Sequence, residues 1–349
     1  MTEIACEQLC KMFGNRSVIN DLSFEVGENE MVGLLGPSGS GKTTLLRMLA
    51  GLETPDSGTI ILKKAVANNP GILIPAGKRK IGFVFQSPAL WPHMTIRQHL
   101  EFCSSRQNQG AEKSQNFAKI VEMMAIGRFL QHYPHQLSGG EKQRAAIARS
   151  LVTETKILLL DEPFSNIDCS VKDGILSDLQ TVRQSCSLTV LYVTHSFEDA
   201  LAVSDRIVLI REGRIEQQGT PSTLYEKPAN LFSARFFGET NIIEGTAVTG
   251  GRIATPLGEL AAPDGQYPDG KTMRVAIRPS SLSISSSPEG TEGVVLKSSY
   301  RGFFQQVTVR SREKVYVIYA ENPFVEGERV FIRLKGRYAL INNDDTKEE

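Results

Sequence analysis

Residues 31–50, "MVGLLGPSGSGKTTLLRMLA", set the architecture of this chain. Residues 31–35 are short and apolar, as a strand buried on both faces would be. Gly36 to Gly41 form a glycine-rich loop, and from Lys42 onward the spacing of Leu45, Leu46, Met48 and Leu49 predicts a helix. Gly36, Gly41, Lys42 and Thr43 match the G-x-x-x-x-G-K-[ST] pattern, here in the strand–loop–helix context that gives it meaning. Glycines without Cβ atoms let amide N–H groups converge on a phosphate, and the helix N-terminus adds its dipole. Pro37, Ser38, Gly39, Ser40 and Thr44 complete the phosphate cradle. Lys42 is expected to bridge β- and γ-phosphates, and Thr43 to offer its hydroxyl to Mg²⁺.

The flanking sequence alternates strand and helix. "SGTIIL" (57–62) reads as an edge strand, and "KIGFVFQ" (80–86), "KILLLDEP" (156–163) and "SLTVLYVTH" (187–195) as buried strands. Residues 95–130 read as mostly helical, ending before Pro134, and a further helix starts at "SGGEKQRAAIARSLVT". "DRIVLIREGRIEQQG" is a hairpin about Glu212-Gly213. This is the pattern of an α/β fold with a parallel sheet. Near residue 238 the character shifts to short β-like pieces punctuated by Gly and Pro, predicting a small all-β domain that runs to a frayed "NNDDTKEE" end.

The 349 residues suffice for two domains, and 39 Lys plus Arg balance 39 Asp plus Glu. A neutral total argues against a general nucleic-acid binder. Cys6, Cys10, Cys103, Cys169 and Cys186 are scattered and odd in number, as free thiols in a reducing compartment would be. The first residues do not resemble a signal peptide, and no apolar run approaches the ~20 residues that span a bilayer. A soluble chain that can still sit on a membrane partner is expected.

Asp161 ends the apolar run "ILLLD", and ligand sites of such sheets lie at the carboxyl ends of strands. It suits Mg²⁺, through water. Glu162 follows it and points differently, because strand residues alternate; it can activate a water that attacks the γ-phosphate. Gln86 ends the "IGFVFQ" strand and His195 follows "LTVLYVT", which places both on the rim of the same crevice, Gln86 toward Mg²⁺ or the attacking water, His195 toward the γ-phosphate. Phe13 reads equally as an adenine platform or a core aromatic. His132 and His135 mimic a metal pair but lack a third ligand.

A second phosphate-facing element stands a hundred residues after the first: "LSGGEKQR" (137–144). Ser138, Gly139 and Gly140 offer a hydroxyl, open amides and a helix start, yet the first loop already serves one nucleotide. The second becomes useful if it closes over a nucleotide held by another copy. Two copies related by C₂ symmetry would then bury two ATP molecules, with binding closing the pair and hydrolysis releasing it.

Taken together, "GPSGSGKTT", "LSGGEKQR", "ILLLDEP", "SNID", Gln86 and His195 resemble the ATP-binding cassette family of transport ATPases over about residues 3–235. The resemblance implies a P-loop cassette over 1–236, with a helical subdomain at about 87–137. It implies that Gly36–Thr44 bind phosphates and Mg²⁺, and that Asp161 handles the metal. Glu162 would be the general base, Gln86 the lid glutamine and His195 the switch histidine. It places Phe13 where the family has its adenine-stacking aromatic, Ser138–Gly140 on ATP of the partner copy, and Asp168 at the dimer seam. "GETNIIEG" (238–245) and "VAIRPSSLSI" (275–284) resemble the OB-like, TOBE-type β-barrel of importer ATPases, implying such a regulatory or dimerisation domain over 237–349.

That group imports ferric iron, polyamines, sulfate, molybdate, sugars or phosphonates. Its ATPases pair with two transmembrane permease subunits and an external or periplasmic solute-binding protein, at the cytoplasmic face of the inner membrane. Ferric iron is the favoured cargo by analogy. Ile167 stands where Leu is usual, Gly174 interrupts a predicted helix at a cost of ~1 kcal/mol against Ala, and Trp91, usually Phe, lies in "ALWPHMTIRQHL" (89–100), which resembles the face that grips the membrane subunit. Trp91 is either a contact anchor or a packed aromatic. Two other readings compete: a non-transport cassette ATPase acting on nucleic acid or ribosomes, which usually carries coiled-coil insertions or two cassettes, and an ATP-switched regulatory module.

Overall fold

In a strand buried on both sides, successive residues feed two different cores. The computed structural model, described for residues 1–104, 111–165, 167–262 and 267–341, realises this at "ILLLD", Ile157–Asp161, where every residue is buried. Leu158 and Leu160 enter one apolar cluster with Val84, Val190 and Tyr192. Ile157 and Leu159 enter the other, with Leu34, Leu191, Val193 and Val208.

The chain divides into two compact units, 1–221 and 222–349. The helix Leu231–Phe236 therefore falls within the second unit, ahead of the composition shift near 238. In the first unit, a six-stranded sheet runs in the order Arg214–Gly219, Arg206–Arg211, Met31–Leu35, Thr189–Val193, Ile157–Asp161, Ile81–Val84. Its pairs are parallel except for the edge hairpin. That hairpin turns at Glu212 (φ 50°) and Gly213 (φ 75°), the doubly left-handed backbone that a tight turn matched to strand twist requires. The helices Ile96–Ser104, Gly139–Leu151 and Cys169–Cys186 contribute to the first core. The phosphate-loop helix Lys42–Ala50 contributes Leu45, Leu46, Met48 and Leu49 to the second.

A second, antiparallel sheet covers that core. Its order is Arg16–Gly27, Thr2–Phe13, Ser57–Leu62, Ala65–Asn69, Ile72–Leu73. Ser57–Leu62, expected at an edge, pairs on both sides. Ile60 and Leu62 bury fully or nearly so there, and this alternation is what an inner strand over one core presents. In the stretch 95–130, expected to be helical, the described residues form the helices Ile96–Ser104 and Ala111–Met123 and a helical turn at Gly127–Phe129, and 105–110 lie outside the described residues. Gly174 sits inside Cys169–Cys186; a Cβ there would lie 3.3 Å from Arg144 Nη2. Arg144 pairs with Asp178 and donates to the Met124 carbonyl at 3.2 Å, so the missing side chain leaves room for a cross-helix tie. Ile167 is half-buried against the first core.

The second unit is an α-capped, OB-like half-barrel of two five-stranded antiparallel sheets. One runs Gly258–Ala261, Arg252–Thr255, Asn241–Val248, Thr272–Ile277, Tyr338–Ile341; the other Leu282–Ser285, Arg329–Leu334, Thr291–Tyr300, Gln305–Ser311, Lys314–Ala320. Ile243, Ile253, Val275, Ile277, Val307, Val309, Ile318 and Ile332 fill the space between. Buried Asn241 ties the sheets: its amide accepts from Val317 N–H at 2.7 Å and donates to the Val317 carbonyl at 2.8 Å, standing in for a strand neighbour. Asn241→Ala strands both main-chain groups. It should lower the stability of this unit by about 1–3 kcal/mol, read as a lower urea midpoint at unchanged slope; an unmoved midpoint would show the tie to be idle.

Candidate nucleotide site

The phosphate loop is shaped by positions where only glycine fits. Gly36 has φ 150°, and a Cβ on it would lie 2.0 Å from the Ile210 carbonyl oxygen. Gly41 has φ 104°, and its Cβ would lie 2.6 Å from the Val18 carbonyl oxygen. The loop is thus wedged between the Arg206–Arg211 strand and the Arg16–Gly27 strand, with Pro37, Ser38 and Gly39 forming its exposed rim. Lys42 is buried beneath it. Its ammonium donates to the carbonyls of Gly36 and Pro37 at 2.8 Å each and reaches Ser40 Oγ at 3.4 Å. Burial pulls the Lys42 pKa down; the charges of Glu162 and Asp161 push it back up. A cation whose partners are loop carbonyls is poised to exchange them for an anion. Thr44 follows Thr43 in the first turn of the helix, half-buried.

Thr43 Oγ1 donates to Asp161 Oδ1 at 2.8 Å, closing a strand end onto a helix start. Asp161 is only 5 % exposed. Burial raises its pKa first of all, and the Thr43 hydrogen bond works against that rise. Among the described residues no group of three or more His, Cys, Asp or Glu side chains could hold a metal. A hydroxyl and a carboxylate side by side suit a hard cation whose remaining ligands are phosphate oxygens and water, which is how Mg²⁺ is commonly held with nucleotides.

The strand ends at Asp161. Glu162 has φ 45°, a left-handed backbone that costs a non-glycine residue about 1 kcal/mol or more. Its N–H is tied to the Val193 carbonyl at 3.1 Å, and Ser165 Oγ donates to its carbonyl at 3.2 Å. A strained turn, rather than strand alternation, therefore aims this carboxylate. Gln86 Nε2 donates to Glu162 Oε2 at 3.1 Å, and His195 Nδ1 lies 3.7 Å from the same oxygen. The three side chains from three strand ends meet at one oxygen. A carboxylate so held can accept a proton from a water beside it, while Gln86 and His195 are exposed enough to reach a ligand.

Other expected residues stand apart from this cluster. Phe13 is 50 % exposed at the end of the first hairpin, opposite Arg16, so it is no core residue. The Arg16 guanidinium lies 3.3 Å from where a Cβ on Gly39 would be, which brings the hairpin tip to the rim of the phosphate loop. Arg16 was not singled out in the sequence; only pairing with Phe13 across a Gly14-Asn15 turn reveals it. Ser138 is the N-cap of Gly139–Leu151 and exchanges hydrogen bonds with Glu141, whose carboxylate returns to Ser138 N–H at 3.0 Å. Gly139 shares a depression with Gln86. Asp168 is the exposed N-cap of Cys169–Cys186, without a side-chain cap bond.

Comparison with known proteins shows the family. The ABC transporter family profile matches residues 19–165. The chain is 40 % identical over 308 residues to the Fe(3+) ions import ATP-binding protein FbpC of Rhizobium etli, covering 86 % of this chain and 85 % of that protein. It is 34 % identical over 358 residues to the spermidine/putrescine import ATP-binding protein PotA of Vibrio cholerae, covering 97 % of this chain and 94 % of that one. Among solved structures, the dimeric post-hydrolysis ATP-binding cassette MJ0796 bound to ADP and Pi matches with TM-score 0.55 and 28 % identity, over 62 % of this chain and 98 % of that one. The chain belongs to the ABC transporter family, as one of its ATP-hydrolysing subunits. Among the described residues no helix is long and apolar enough to cross a membrane.

The raised pKa of Asp161 has a stability consequence. An acid whose folded pKa lies above its unfolded one lowers stability as pH rises through that window, and its charge is a standing cost above it. Asp161→Asn keeps the Thr43 hydrogen bond and removes the charge. It should raise the melting temperature of the nucleotide-free protein at neutral pH, with the gain shrinking in acid, while ATP hydrolysis falls at least about a hundredfold. A lowered melting temperature at neutral pH would refute the charge argument.

Proposed function

We propose that two copies of this chain form a head-to-tail dimer that powers import of a small solute through two transmembrane permease subunits. An external or periplasmic solute-binding protein would deliver the cargo, with the ATPase at the cytoplasmic face of the membrane. The observation that carries the reading is the meeting of Gln86, Glu162 and His195 at one carboxylate oxygen, beside the Thr43–Asp161 pair. In this reading Gly36–Thr44 cradle the phosphates, with Mg²⁺ on Thr43, Gln86 and Asp161. Glu162 is the general base, His195 steadies the γ-phosphate and Phe13 stacks on adenine. Ser138, Gly139 and Gly140 close over the partner copy's ATP, and Asp168 lines the seam. Residues 1–236 are the cassette, with 87–137 its helical subdomain, and 237–349 a TOBE-type domain. The dimeric MJ0796 cassette supports the assembly, and the import names of the FbpC and PotA relatives support the direction of transport.

Trp91 supports docking to a membrane subunit. It stacks on His99, meets Phe102 edge-on at 5.4 Å, and is still 40 % exposed, so packing holds it in an outward-facing position. Ferric iron is our preferred cargo, on the 40 % identity to FbpC. A polyamine is the second reading, favoured because the PotA match extends over 97 % of this chain.

Glu162→Gln should bind ATP, accumulate as a dimer on size exclusion, and hydrolyse at least about a hundredfold slower; parental turnover would remove the base assignment. Purification from native membranes in mild detergent should recover a multi-span subunit in a two-to-two complex, whose bound solute separates iron from polyamine. Trp91→Ala should weaken that recovery by about 2 kcal/mol. Recovery of ribosomal or other soluble partners alone would overturn the transport reading.

A further inference from the structure

Gln143 lies in the Gly139–Leu151 helix, one turn beyond Gly139 and on the same face. It is 2 % exposed, and its Nε2 has no hydrogen-bond partner among the described residues. A buried amide N–H left unpaired is costly, so a native position of this kind calls for an acceptor. The side chain faces a depression shared with Gln86, Ser87, Gly139, Pro163 and Ile167. This brings the segment after the Ile81–Val84 strand, the "LSGG" helix and the turn after Glu162 to one place.

The segment from Gln86 to Ala89 is held unevenly. Arg149, from the same helix as Gln143, donates to the carbonyls of Ala89 at 2.6 Å and Pro88 at 3.2 Å. Among the described residues, no donor reaches the carbonyls of Gln86 and Ser87. One helix therefore carries a clamp already made, at 88–89, and a free donor beside the depression where 86–87 lie open. We infer that Gln143 is a positioning residue for Gln86. In the nucleotide-loaded site its Nε2–H donates to one of the two open carbonyls and fixes the main chain from which the Gln86 amide reaches Glu162. The Gly139–Leu151 helix then transmits the seating of Gly139 to the catalytic carboxylate. The inference rests on Gln86 acting at Mg²⁺ beside Glu162, as proposed above.

A double-mutant cycle on ATP turnover by the full chain tests both. Gln143→Met keeps the volume and removes the donor. It should lower kcat about fivefold to tenfold, the loss of one hydrogen bond, with KM for ATP within about twofold. In a Gln86→Ala background the same change should cost nothing further. Equal proportional losses in both backgrounds, or a change in KM alone, would reduce Gln143 to a packing residue, and parental turnover of Gln143→Met would show the amide idle. If Gln143→Met does not fold, Gln143→Glu, which presents acceptors to the open carbonyls, should give the same kcat loss and the same non-additivity. Parental turnover of Gln86→Ala itself would instead remove the Gln86 assignment on which the inference stands.

Discussion

A carboxylate kept in the interior against its own preference for water, Asp161 joined to the Thr43 hydroxyl, holds the nucleotide site in place. The bond ties the end of a strand buried on both faces to the first turn of the phosphate-loop helix. Because Leu158 and Leu160 lock into one core and Ile157 and Leu159 into the other, that strand cannot slip by one residue without inverting both cores. The acid is therefore presented at a fixed height. Lys42, buried nearby among loop carbonyls, is the matching strained cation. Both groups give up solvation in the free protein, and in the proposed function nucleotide phosphates and Mg²⁺ restore what folding removed.

The carboxylate of Glu162 is held by a different device. Glu162 lies outside the strand ladder, in a left-handed turn fixed by hydrogen bonds to its main chain. Strain stored at such a turn is characteristic of positions where orientation outweighs stability. Gln86 and His195 arrive from flanking strand ends, so any movement of either strand end alters what surrounds the carboxylate. Under the proposed function, in which Glu162 is the base, this dependence lets turnover wait on the segments that move.

Much was legible in the linear sequence because it is written in local patterns. The phosphate loop announces itself through glycines and a lysine at fixed spacing, the central strands through unbroken apolar runs, and the edge hairpin through Glu212-Gly213. Less local features were not. The paired strands Thr2–Phe13 and Arg16–Gly27 carry repeated register shifts, and each shift breaks the period-two alternation by which a strand is recognised. Ser57–Leu62 reads like an edge strand until its two neighbours, one far away in sequence, are known. The role of Gly174 depends on Arg144 from another helix.

By itself the sequence determined the α/β core, the β-rich second unit, the phosphate loop and the residue types that could carry hydrolysis, because each follows from chain-local sterics, hydrogen bonding and apolar periodicity. Tertiary structure alone decided that Gln86, Glu162 and His195 meet at one oxygen, that Phe13 is outward-facing beside Arg16, and that Gln143 carries a buried, unpartnered amide on a depression it shares with Gln86. These are meetings of strand ends and helices far apart in the chain. Their geometry is fixed by how two cores pack on one sheet, a constraint no stretch of sequence contains.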